Sequence, residues 1–247
     1  MNIQLIAHTQ LSEEFLQGLS INLPNQTDGQ TVALSAIRTC YSPNKPSEIV
    51  SLEGDKYFGQ AAKDGEGGTD ADRLIRQIIN SKHLSTVEHI SFTFAVEGVS
   101  RSLLAQLTRH RIGFSFSVQS QRYVRFGSND KSEGFDYVTP PSVLNNNMKA
   151  ADGEFTAKEY FDEIMSDLQH VYDRLRSLGV PAEDARFILP NAATTNFVMT
   201  GNLRALLDFY SKRAANGAQW EIRDLAEWIK DEVVKVEPWT KSFFKVV

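Results

Sequence analysis

The sequence predicts an α+β fold, a single domain over residues 1–247 with a mostly antiparallel sheet packed against long helices. Three observations carry that expectation. Short segments read as strands: NIQLIAH near the start, SFTFAVE with Phe92, Phe94 and Val96 set against Ser91, Thr93 and Ala95, and the alternating FSFSV. Longer segments carry helical periodicity. No composition break or internal repeat marks a second domain.

Taken in order, SEEFLQGL and TVALSAIRTC read as helices, the first opened by Ser12 with glutamates close behind. KDGEGGTD is a glycine-rich loop without the following GK[ST] of a phosphate loop. DADRLIRQIINSK is a helix with an Asp-rich start, and RSLLAQLTRHRI is a helix packed through Leu103, Leu104 and Leu107. Residues Phe126 to Ala157, rich in Gly, Asn, Asp, Ser and Pro, mark a long surface excursion. KEYFDEIMSDLQHVYDRLRSLG is a long amphipathic helix ended by glycine. VPAEDARFILP places a proline near a helix start. Two further helices, TGNLRALLDFYSKRAA and AQWEIRDLAEWIKDEVVKV, close the chain.

With 41% hydrophobic and 23% charged residues, the chain has enough apolar material for a substantial core. No apolar run reaches the length of a membrane span, and the first residues lack the basic start and long apolar stretch of a signal peptide. The single cysteine, Cys40, excludes an internal disulfide, and no metal-ligand spacing is present. A cytoplasmic protein with no membrane partner and no metal is the expectation. A net charge of −5 argues against a general nucleic-acid binder.

The charge is unevenly spread. Between Gly98 and Gly127 stand Arg101, Arg109, Arg111, Arg122 and Arg125 with no acidic residue, interleaved with Ser, Gln, Phe and Tyr. A solvated face usually mixes signs, so this segment is expected to handle an anion. Gln106, Arg109 and His110 stand at i, i+3 and i+4 and would share a helix face. Ser115, Ser117, Ser120, Gln121, Arg122 and Tyr123 follow on a strand or turn. Guanidinium forks with hydroxyl donors suit phosphate, so the residues alone define a phosphate- or nucleotide-binding constellation.

Arg109-His110-Arg111, an eight-residue spacer (Ile112 to Gln119) and then Ser120-Gln121-Arg122-Tyr123 resemble the signature of flavin-dependent thymidylate synthases. The resemblance extends over roughly Ala33 to Trp239. It includes His83-Leu84-Ser85 with Glu88-His89, the run Ala185 to Pro190, Asn202-Leu203-Arg204, and Arg213 followed by Ala218 to Ile222. It implies that Gln106, Arg109, Ser120, Gln121, Arg122, Arg186 and Arg213 contact dUMP. His83, Ser85, Glu88, Arg109, His110, Arg111, Asn202 and Asp208 would line an FAD site, with Arg109 between the two ligands. Asn202 and Arg213 are eleven residues apart, close to three helical turns, and could share one face. Val118 stands where many relatives carry Glu, Gly217 where some carry His, and Asp208 where an amide is sometimes found.

The activity implied is reductive methylation of dUMP to dTMP, with 5,10-methylenetetrahydrofolate as carbon donor and NADPH as reductant, in a homotetramer with shared active sites. Cys40 lies outside the motif and Ser120 has no adjacent base in sequence, so no covalent protein–nucleotide intermediate is expected. The catalytic residues implied are Arg213, as an electrostatic catalyst, and Ser120, which with the motif arginines would hold the phosphate. Two rivals remain: a flavin- or nucleotide-binding oxidoreductase of the same architecture acting on another substrate, and a non-catalytic nucleic-acid-binding module.

Overall fold

The structure, a computed structural model, describes residues 1–21, 26–146, 148 and 155–246. Four strands form one antiparallel sheet: β1 (Asn2–His8), β2 (Ser91–Ser100), β3 (Phe114–Val118) and β4 (Thr194–Asn202), in the order β1-β2-β4-β3. With the helices described below, this is the α+β class that the sequence predicts. The three strands read from the sequence are all present, and Phe92, Phe94 and Val96 of β2 are fully buried. The fourth, β4, has no counterpart in the sequence reading. Its inward positions are Thr195, Phe197, Met199 and Gly201, and a hydroxyl at one end and a glycine at the other blur the apolar alternation. That reading also began the next helix at Thr200, which instead lies in β4.

Contacts divide the chain into two compact units. One holds residues 1–2, 95–109 and 116–198, and the other holds residues 3–94, 110–115 and 199–247. Each strand gives residues to both.

The second unit carries α1 (Glu13–Gly18), α2 (Asp28–Thr39), α3 (Ile49–Phe58) and α4 (Asp70–Asn80), followed by a 3-10 turn at Leu84–Val87. Side chains cap three of these helices: Ser12 for α1, and reciprocal pairs Thr27–Gln30 for α2 and Thr69–Asp72 for α4. The sequence reading missed α3, which has no side-chain cap and only weak apolar periodicity, with Gly54 in its middle. Leu34, Tyr57 and Ala71 join α2, α3 and α4 in one apolar cluster.

The first unit carries α5 (Arg101–Leu107), α6 (Pro141–Leu144), α7 (Ala157–Ser177) and α8 (Ala182–Ala185), with a 3-10 turn at Arg186–Ile188. Phe126, Tyr172 and Ala185 form its core, with Val124, Phe135 and Leu175 packed around them. The long helix α7 ends as its glycine predicts, with Gly179 at φ +88°. Part of the expected excursion from Phe126 to Ala157, residues 147 and 149–154, lies outside the described residues.

The chain returns to the second unit with α9 (Leu203–Arg213) and α10 (Trp220–Val236), capped by Asn202 and Gln219, and a 3-10 turn at Pro238–Phe243. Glu237, at the end of α10, is buried and accepts hydrogen bonds from Thr27 Oγ1, Gly29 N and Trp239 Nε1. It thereby holds the first turn of α2, where a Cβ on Gly29 would lie 2.5 Å from the carboxylate. Among the described residues no helix is long and apolar enough to cross a membrane.

Candidate active site

The expected helix RSLLAQLTRHRI stops at Leu107, so Gln106, Arg109 and His110 do not share a helix face. Thr108 donates its hydroxyl to Leu104 O at 3.0 Å, which competes with continuation of the helix. The chain then turns at Gly113, φ +77°, to enter β3. Only glycine fits there: a Cβ would lie 2.7 Å from Ala205 Cβ and 2.8 Å from Asn202 Nδ2. This close approach lets Asn202 N donate to Gly113 O at 3.1 Å and seats the loop 110–113 on the start of α9.

In the first unit, Gln106 Nε2 donates to Ser102 O at 3.3 Å, and Arg109 is exposed in the turn after α5. Ser120, Gln121 and Arg122 follow β3 in a turn closed by Val124 N donating to Ser120 O. Ser120 Oγ accepts from Arg122 N at 3.2 Å, and among the described residues no imidazole or carboxylate hydrogen-bonds to it. Arg122 pairs with Glu183 at 3.1 Å and lies 5.4 Å from the Tyr123 ring centre, while Arg186 Nε donates to Glu183 O at 2.9 Å.

One residue of this unit was not singled out in the sequence. Arg101, in the first turn of α5, has its Nε buried with no hydrogen-bond partner among the described residues. Burial, and then the charge of Arg186 beside it, hold its guanidinium below the usual arginine range. Two neighbouring guanidiniums, one with a buried Nε that no described residue hydrogen-bonds, form a site that an anion would stabilise. The signal in the sequence was the acid-free arginine run, which marked the segment without ranking its members.

In the second unit a cavity of about 770 Å³ is lined by Lys82, Glu88, Gly113, Asn202, Arg204 and Asp208, with Leu84, Ile112, Leu207 and Phe243 among its apolar walls. Glu88 is ion-paired with Arg204, and Asp208 with Lys212 at 2.7 Å. His83 Nδ1 shares a hydrogen bond with Tyr41 Oη at 3.2 Å. Ser85, exposed in the 3-10 turn, accepts through its carbonyl from Glu88 N. Arg111 is exposed in the loop before β3. Asn202 and Arg213 stand at the two ends of α9, about 16 Å apart along its axis. That span suits an extended ligand rather than one small group. Arg213 Nε donates to His110 Nε2 at 2.9 Å, and the imidazole lies edge-on to Phe209 and Phe114, with ring centres 5.1 and 6.3 Å away. Cys40 caps the end of α2, exposed, with Sγ 3.6 Å from Ala36 O.

An arginine cluster in the first unit and a ligand-sized cavity in the second stand on an α+β scaffold, an arrangement suited to anionic ligands. The profile described as Thymidylate synthase complementing protein matches residues 22–239. A flavin-dependent thymidylate synthase of Clostridium tetani is 37% identical over 230 residues, covering 90% of this chain and 84% of that one. One from Halobacterium salinarum is 40% identical over 206 residues, covering 77% and 83%. The chain belongs to the flavin-dependent thymidylate synthase family. The fold agrees: Helicobacter pylori ThyX, solved with FAD and dUMP, superposes with a TM-score of 0.64 at 22% identity, covering 99% of this chain and 98% of that one. The UMP/dUMP methylase PolB of Streptomyces cacaoi, solved with 5-Br dUMP, superposes with a TM-score of 0.67 at 22% identity, covering 98% and 94%.

Proposed function

We propose that this chain converts dUMP to dTMP by reductive methylation, with FAD as its cofactor, 5,10-methylenetetrahydrofolate as carbon donor and NADPH as reductant. One observation carries the reading beyond family membership: the buried, unpartnered Nε of Arg101 beside Arg186, a site suited to a nucleotide phosphate. Arg109, Gln121 and Arg122 add donors in the same unit, and Gln106 and Ser120 belong to the same substrate reading.

A flat, phosphate-bearing cofactor fits the second unit. The cavity is within the usual range for ligand sites, and it offers ammonium and guanidinium groups together with apolar walls. Of the residues expected at the cofactor, Glu88, Asn202 and Asp208 line this cavity, and His83, Ser85, His110 and Arg111 belong to the same unit. The carboxylates of Glu88 and Asp208 are already paired with Arg204 and Lys212, which limits their repulsion of cofactor phosphates. Reduced flavin supplies the hydride when bound.

Methylation at C5 of uracil requires that carbon to become nucleophilic. Cys40 is the chain's only thiol and hydrogen-bonds within its own helix end, and Ser120 lacks an adjacent base. Neither is placed as an activated nucleophile. Arg213 would stabilise negative charge on the pyrimidine ring electrostatically. A homotetramer with shared active sites, one domain spanning residues 1–247, and a cytoplasmic address consistent with the free thiol belong to the same reading.

The test is tritium release from 5-tritiated dUMP with methylenetetrahydrofolate and NADPH, with and without FAD. Release that needs both FAD and NADPH is expected. No release from folded, FAD-bound protein would move the assignment to an oxidoreductase with another substrate.

A further inference from the structure

The hydrogen bond between Arg213 Nε and His110 Nε2, 2.9 Å long, fixes more than a distance. A guanidinium has donors and no lone pair, and it stays protonated in proteins. Nε2 must therefore be the accepting nitrogen, so the imidazole is neutral and carries its proton on Nδ1. The ring is held for this task. Phe209, fully buried and one turn before Arg213 on α9, meets it edge-on, as does Phe114 of β3. Gly113 turns the loop so that it lies against α9. Arg213 is the last residue of its helix, where a cation is favoured by the exposed carbonyls but a long side chain has many rotamers to lose.

We propose that His110 is the positioning residue for Arg213: its neutral imidazole accepts from the guanidinium and holds it in one orientation. The inference rests on the reading of Arg213 as electrostatic catalyst. Protonation of His110 replaces the accepting lone pair with an N–H and brings two cations together at the same contact. That contact to Arg213 is then lost. On the elements that carry the pair, the other ionisable residues are Arg111 in the loop and Arg204, Asp208, Tyr210 and Lys212 on α9; β3 contributes none. Of the elements packed against α9, α10 carries Glu221 and Arg223 near its start, and the 3-10 turn at Leu84–Val87 is followed by Glu88. Activity should therefore fall on the acid side, where the contact between His110 and Arg213 is lost.

The experiment compares wild type, His110→Gln and His110→Leu, each as FAD-loaded enzyme, by tritium release across pH. Ring nitrogen-15 spectra of histidine-labelled wild type are recorded alongside. The amide oxygen of glutamine can stand near the position of Nε2, and leucine removes the acceptor. The expected result is a loss in kcat of the order of 100-fold for His110→Leu, from a misplaced catalytic group. KM for dUMP should change far less. His110→Gln should recover part of that kcat and lose the acid limb seen in wild type. The spectra should show Nε2 unprotonated near neutral pH and protonated across the acid limb. An unchanged acid limb in His110→Gln, or a protonated Nε2 at neutral pH, overturns the proposal. If His110→Leu does not fold, the glutamine variant and the spectra still decide. Wild type without FAD-dependent release would instead sink the activity reading, and the tautomer would still be read from the spectra.

Discussion

The two units treat charge in opposite ways. In the first, Arg101 is partly buried, has no partner at Nε among the described residues and sits beside Arg186, an arrangement with unmet demand for negative charge. In the second, the cavity's carboxylates are each neutralised by a cation on α9, Glu88 by Arg204 and Asp208 by Lys212. An unpaired guanidinium in a low-dielectric setting gains most from a dianion, whereas a pre-neutralised wall accepts a large ligand with little electrostatic demand. The difference teaches that arginines of one composition take different roles according to whether the fold supplies them with a partner.

Substitutions in the two units would break or sharpen this contrast. The largest effect is expected from Arg213→Ala, a loss in kcat on the order of 100- to 1,000-fold, as for removal of a donor to developing charge. Cys40→Ala should leave turnover largely intact, and a folded, FAD-binding but inactive Cys40→Ala protein would overturn the non-covalent mechanism. Next, Arg101→Ala should raise KM for dUMP about 10- to 100-fold, the range for losing a charged hydrogen bond. Arg204→Ala, which breaks only an exposed pair, should alter stability by less than about 1 kcal/mol. Equal loss of dUMP affinity in both variants would erase the distinction between the units.

Gly113→Ala should destabilise the protein by about 1–3 kcal/mol in denaturant unfolding, because a Cβ would press on Ala205 in a left-handed backbone. The smallest effect concerns Glu237, whose carboxyl is raised above its ordinary 4.5 mainly by burial. A carboxyl that holds its proton more tightly when folded stabilises the protein below the unfolded value. That contribution is lost as pH climbs through the raised one. Thermal melts should therefore show stability falling from about pH 4.5 upward, with a flatter profile in Glu237→Gln. An unchanged profile in the variant would assign the slope to other groups.

Much of this was legible in the sequence, for identifiable reasons. Phe92, Phe94 and Val96 announce β2 because every inward position is apolar, whereas β4 hides behind Thr195 and Gly201. The helix through Arg109 and His110 was overextended because nothing in RSLLAQLTRHRI forbids helix; the stop comes from Thr108 bonding backwards and from the tight seat of Gly113 on α9. The arginine run pointed to an anion, yet only burial singles out Arg101 from its neighbours. The bond between Arg213 and His110 spans 103 residues, and no local spacing encodes it.

Every strand of the sheet gives residues to both units, and each unit is assembled from three separate stretches of the chain. Neither unit could have been acquired from another gene, or exchanged with a relative, by a single splice. The arginine cluster and the cavity are therefore written in interleaved stretches of one chain.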